Sequence, residues 1–133
     1  MAESYILFDI PGSEEPIDRG FLESLGQSVL VCHGPEHGQL CPILAGKHCP
    51  LAEGAHGIVF EFDLDRPQHR AILRKYREVL RSDLPIRVVT TREQAIQHAD
   101  LLRGLRIVYH RPVAGDLDAL ASEVEASDSL SDS

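Results

Sequence analysis

The side chains best suited to chemistry crowd into one short segment. All three cysteines and three of the seven histidines lie between Cys32 and Cys49, as Cys32-His33, His37, Cys41 and His48-Cys49. Thiolate sulfur and imidazole nitrogen hold Zn²⁺ tetrahedrally, and three thiolates with one further ligand suit an iron-sulfur cluster. Zinc or a cluster is therefore one expectation for Cys32, Cys41, Cys49, His33, His37 and His48. Cys41 and Cys49 are each followed by proline, a context seen beside cluster ligands, yet the spacing Cys-x8-Cys-x7-Cys matches no standard zinc or ferredoxin pattern. Two other readings stand beside it. The thiols form a redox pair with one cysteine left over, a switch suited to a reducing compartment. Or they are inert: Cys32 ends a core strand as a small apolar group, and Cys41 and Cys49 pack beneath a loop.

Cys32 is also a candidate nucleophile, because an adjacent imidazolium from His33 would favour its thiolate. No arginine closes a Cys-x5-Arg cradle after it, so the residues do not spell a phosphatase loop. Asp63 and Asp65 stand at alternate positions after an apolar run, where both carboxylates can reach one pocket. Asp65 is the expected N-cap of the helix that follows, which leaves Asp63 as the open candidate. The segment Arg66, His69, Arg70, Arg74, Lys75, Arg77 and Arg81 makes one helix strongly basic on its polar side, a solvated face or a contact for acidic groups. Glu61, His98 and His110 stand alone and receive no role.

The elements that must position these groups follow from apolar spacing. Ser28–Cys32, Gly57–Asp63, Ile86–Thr90 and Leu105–His110 are short β-branched or aliphatic runs that read as buried strands. Between them Ile72, Leu73, Tyr76, Val79 and Leu80 form a helical stripe. Ala95, Ile96, Ala99 and Leu102 mark a second helix, entered through a Thr90–Glu93 capping box. Leu117, Leu120, Ala121 and Val124 mark a third, with Asp116 as N-cap. Tyr5–Phe8 reads as an additional edge strand and Ile17–Leu25 as a short helix. Strands alternating with helices over short connections imply a parallel sheet covered on both faces, with functional groups beyond the strands' carboxyl ends.

Composition limits the classes open to such a chain. With 133 residues and 43% hydrophobic content there is material for one core. No apolar run approaches the roughly 20 residues of a membrane span, and the N-terminus lacks a signal-peptide pattern, so the expectation is a cytoplasmic protein that does not enter a membrane. A net charge of −8 opposes direct nucleic-acid binding. The Ser- and Asp-rich end, 127–133, reads as a disordered acidic tail.

From Ser28 to Ala126 this order resembles the receiver domain of two-component response regulators. Ile58 to Pro67 is similar to the family's third strand and the loop behind it, with Asp63 matching the phospho-accepting aspartate. Thr90 or Thr91 falls at the family's switch Ser/Thr, and Arg111-Pro112 at its Lys-Pro. The resemblance implies an α/β fold of three layers, a mainly parallel sheet with helices on both faces, in a receiver-like domain over 28–126 preceded by an N-terminal segment, 1–27. It also implies a divalent cation held by an acidic pair at the end of strand one. Here that place is read as Cys32-His33, and a hard cation needs carboxylate oxygens. Arg111 presents a planar fork in place of a compact ammonium. The span from Val31 to Gly57 is too short for a first helix, a second strand and a second helix. The expectation is a non-catalytic regulatory module that binds a protein partner, or a second copy of itself, and is tuned by a metal, iron-sulfur or redox site. A small thiol-dependent enzyme using Cys32 and an inert structural adaptor are the alternatives.

Overall fold

The computed structural model describes residues 5–10, 23–24, 26, 28–33, 41–80, 82–109 and 118–124. Five strands are present: β1 (Tyr5–Asp9), β2 (Ser28–Cys32), β3 (Gly57–Phe60), β4 (Ile86–Val89) and β5 (Arg106–Val108). They form one sheet in the order β2-β1-β3-β4-β5, and each neighbouring pair runs parallel. The expected α/β class and parallel sheet are therefore what the chain adopts.

The place of the first strand differs from the sequence reading. Tyr5–Asp9 is no edge strand; it lies between β2 and β3, with Leu7 opposite Leu30 on one side and Ile58 on the other. Four of its five residues are buried, as a strand covered on both faces requires. The edge falls instead to Ser28–Cys32, where Leu30 is 42% exposed. The second strand of the chain is Ser28–Cys32 itself, so the span from Val31 to Gly57 need not supply another. The described part of that span carries only a short helix, α1 (Pro50–Glu53).

Alternation along the strands divides the core. Leu7, Ile58, Phe60 and Val88 face one layer, which includes α2 (Pro67–Val79) and, through Ala95 and Leu102, α3 (Arg92–Gln97) and α4 (Ala99–Leu102). Ile6, Phe8, Val29 and Val59 face the other, where Leu120 and Val124 of α5 (residues 118–124) cover them. Gly57 permits that second contact. A Cβ there would lie 3.0 Å from Val124 Cγ2 and 3.4 Å from Leu120 Cδ1, so α5 packs on backbone.

Helix α2 buries His69, Ile72, Leu73 and Tyr76, the i, i+3, i+4, i+7 stripe of an amphipathic helix. His69, expected on the basic face, is 1% exposed, and Val79, expected inside, is 45% exposed. Asp65 is not the cap of α2: Arg66 holds the N-cap position and Pro67 opens the helix. The cap of α3 likewise falls one residue later than expected, on Thr91, whose hydroxyl accepts from Gln94 N at 3.1 Å. Thr90 is claimed by the sheet instead, donating its N–H to Val108 O. Thr91→Ala is therefore expected to cost about 1 kcal/mol, measured by urea denaturation, with Glu93→Ala near neutral. Asp116, Leu117 and the 127–133 tail lie outside the described residues. Of the expected helix Ile17–Leu25, only Glu23 and Ser24 are described, and both are helical.

Candidate functional site at the carboxyl ends of the strands

The sheet order reverses direction at β1 and β3, the position where doubly wound α/β folds place their crevice. Asp9 ends β1 there, although the sequence reading gave it no role. The side chain is fully buried and alternates onto the α2 side, where Tyr76 donates its hydroxyl to Asp9 Oδ2 at 2.9 Å. Asp9 Oδ1 has no hydrogen-bond partner among the described residues. Burial pushes the carboxyl up from 3.8 to about 7, opposed by the Tyr76 hydrogen bond. Tyr76 is itself driven upward, first by burial and then by the neighbouring Asp9 carboxyl. The signal for Asp9 was an acid closing an unbroken apolar run, Tyr5-Ile6-Leu7-Phe8.

Asp63 lies just beyond β3 in a tight turn. Its Oδ1 accepts the backbone N–H of Asp65 at 3.0 Å and the side-chain amide of Gln94 at 2.9 Å. Gln94 in turn accepts the Thr90 hydroxyl at 2.6 Å, so the turn after β3 and the end of β4 are joined through one glutamine. The backbone N–H of Asp63 donates to His69 Nδ1 at 2.9 Å, which places the ring proton on Nε2. His69 packs against Phe62 with centroids 4.7 Å apart. Neither Gln94 nor His69 was singled out for this position, because each acts across a turn of chain that periodicity does not register.

The three cysteines, expected to act together, do meet in space. Cys32 at the end of β2, Cys41, and Cys49 at the start of α1 line one cavity of about 260 Å³ with Ile43, Phe62, Ile72 and Tyr76 among its other walls. All three are free thiols of intermediate exposure. Cys49 is held above the usual thiol range, chiefly by burial, against the lowering effect of the Ala52 and Leu51 N–H groups. His33 and His48 are not among the walls of this cavity. His33 Nδ1 lies 3.2 Å from Ile10 O, and since a carbonyl only accepts, that nitrogen donates. His48 Nδ1 is 2.7 Å from Glu53 Oε1, with its side chain 88% exposed. His37 lies outside the described residues, as do His110, Arg111 and Pro112. Among the described residues no group of three or more His, Cys, Asp and Glu side chains is placed to hold a metal ion.

The divalent cation implied by the receiver resemblance does not fit these donors. The end of strand one is Asp9-Ile10 and not Cys32-His33, since Cys32 ends β2. A hard cation takes ionised, accessible oxygens, whereas Asp9 is fully buried, is bonded to Tyr76, and has its carboxyl pushed by burial up to about 7. Ile10 supplies no oxygen from its side chain and is 1% exposed.

Five parallel strands in this order, with acid, amide and hydroxyl groups gathered past their carboxyl ends, define a receiver-like α/β domain. Solved structures with the same architecture bear this out. A response regulator receiver domain protein from Clostridium thermocellum aligns over 96% of this chain and 98% of its own, at TM-score 0.63 and 16% identity. A response regulator receiver protein from Pseudomonas putida aligns over 95% and 98%, at TM-score 0.55 and 20% identity. A structure described as adenylate cyclase from Rhodopirellula baltica aligns over 99% and 96%, at TM-score 0.53 and 13% identity. No protein-family model matches the sequence, and no curated protein matches it significantly. At these identities the likeness is one of fold. No helix among the described residues is long and apolar enough to cross a membrane.

Proposed function

We propose that this chain is a regulatory module of receiver fold that does not carry out aspartyl-phosphate chemistry, acts by binding a protein partner, and is tuned at the three-thiol cavity. The observation that carries the reading is the state of Asp9. The acid at the end of strand one is sealed beneath Tyr76 and followed by isoleucine, so β1 does not end in an exposed acidic pair with which Asp63 could share a cation. Asp63 is also engaged through Oδ1 by two donors. A partner surface is supported on α3 and the residue that follows β5. Ile96 is 79% exposed and Tyr109 48% exposed. Arg92, one turn before Ile96 on α3, stacks over the Tyr109 ring at 4.8 Å.

Incubation with acetyl phosphate and Mg²⁺ tests the chemical half of this reading. The expected result, by intact-mass spectrometry, is no phosphorylated species, with Asp63→Asn indistinguishable from the parent; a stable phosphate that disappears in Asp63→Asn overturns it. Tuning is tested on the same preparation by metal and sulfide analysis and by mild peroxide oxidation. A change in partner affinity or oligomeric state is expected in the parent chain and absent when Cys41 and Cys49 are replaced by serine.

A further inference from the structure

The cavity between the thiols is larger than a metal ion calls for. Zinc draws its sulfur ligands to about 2.3 Å, whereas here about 260 Å³ separates walls that include Cys32, Cys41, Cys49, Phe62 and Ile72. None of the described lining residues carries a formal charge. Burial keeps the Cys49 thiol and the Tyr76 phenol in their neutral forms. The hydroxyl of Tyr76 is already bound to Asp9, so the polar end of that wall is satisfied within the protein. An apolar cavity of about 150 Å³ admits benzene, and this one has room for more. Sulfur is polarizable and makes favourable contacts with aromatic rings, while Phe62 offers an aromatic neighbour.

We propose that this cavity binds a small, uncharged aromatic molecule of one or two fused rings, held among the three thiols and the side chains of Phe62 and Ile72. The inference rests on the regulatory reading given above and names the class of effector that tunes it. A neutral ligand is favoured because no described wall residue carries a charge to compensate an ion, and an uncompensated ion loses its hydration on entry. Cys32 belongs to β2, Phe62 follows β3 and Ile72 belongs to α2, so a ligand seated here bridges three elements at the crevice end of the sheet.

Titration of the full chain with 2-naphthol at neutral pH tests this directly. The protein has no tryptophan, so naphthol fluorescence is read without that background. Saturable one-to-one binding in the micromolar range is expected, with 2-naphthoate, the same rings bearing a carboxylate, at least about tenfold weaker. Ile72→Phe fills the cavity and is expected to weaken naphthol binding by about tenfold or more with the unfolding transition retained. Iodoacetamide labelling of the parent chain, resolved cysteine by cysteine, supplies a readout independent of that variant. Saturating naphthol is expected to slow labelling of Cys32, Cys41 and Cys49 severalfold. Absence of saturation, equal affinity for naphthoate, or unchanged labelling overturns the proposal. These outcomes leave the phosphorylation result standing, and a stable phosphate on Asp63 would remove the non-phosphorylating half of that reading without altering the naphthol result.

Discussion

Asp9→Asn is expected to make the protein more stable at pH 8 and to change it little at pH 4. In the folded chain burial raises this carboxyl from 3.8 to about 7, with the Tyr76 hydrogen bond as the smaller, opposing effect. The native state therefore keeps the proton up to about pH 7, while the unfolded chain releases it near pH 4. Between those values the native state binds more protons than the unfolded one, so stability falls as pH rises and levels off above the folded value. A shift of about three units corresponds to roughly 4 kcal/mol across that window. Asparagine is neutral at every pH, accepts the Tyr76 hydroxyl with its carbonyl oxygen, and closely matches the protonated acid in shape. Denaturant midpoints at pH 4, 6 and 8 check this: the parent is expected to lose stability steadily and the variant to lose much less. Parallel decline of the two would show that Asp9 is ionised in the fold at acid pH and that its burial has little energetic consequence. The Asp9 carboxyl also reaches Cys49, where it is the smallest of the influences, led by burial, that act on that thiol.

The second large effect lies on the opposite face, where α5 is fastened to the sheet. Arg87 of β4 is a buried arginine, its side chain 7% exposed, and its guanidinium is paired with Glu123 of α5. Arg106 of β5 reaches the other oxygen of the same carboxylate at 3.7 Å. Removing the acid leaves a buried cation without its partner, which costs far more than the pair contributes when intact. Glu123→Ala is expected to destabilise the fold by about 2–3 kcal/mol, the partial exposure of Glu123 holding the loss below that of a fully buried pair. Arg87→Met combined with Glu123→Leu is expected to recover most of it, since both charges then leave together. Urea denaturation of Arg87→Met, Glu123→Leu and the double variant measures the coupling; a double variant as unstable as the sum of those two singles would mean that the pair is not what holds α5.

Much of the architecture was legible from short-range pattern. Apolar runs at Ser28–Cys32, Gly57–Asp63, Ile86–Thr90 and Leu105–His110 each contain a strand of the sheet. The stripe Ile72, Leu73, Tyr76 lies inside as spacing requires, because side chains three and four apart share a helix face whatever the rest of the chain does. The cysteines too were singled out by proximity along the chain. Capping was resolved only to within a residue. Thr90 and Thr91 are adjacent and alike, and Thr91 became the cap because Thr90 pairs its N–H with β5.

What the sequence by itself determined was therefore the runs that become strands, the stripe that becomes α2, the α/β class, and Asp63 and the three cysteines as groups near the site. The tertiary structure decided their arrangement. A run such as Tyr5–Phe8 carries the same apolar signal whether it lies at an edge or at the centre, and its place depends on pairing with Ser28–Cys32 and Gly57–Phe60, far along the chain. That placement set which residues occupy the end of strand one, and so moved the missing acidic pair from Cys32-His33 to Asp9-Ile10. It also buried Asp9 under Tyr76, a residue 67 positions away, which turned an ordinary acid into one that is neutral up to about pH 7. Burial and desolvation depend on what covers a group in three dimensions. For the same reason the walls between Cys32, Cys41 and Cys49 were set by Phe62, Ile72 and Tyr76, which come from beyond the cysteine segment and fix what those thiols can hold.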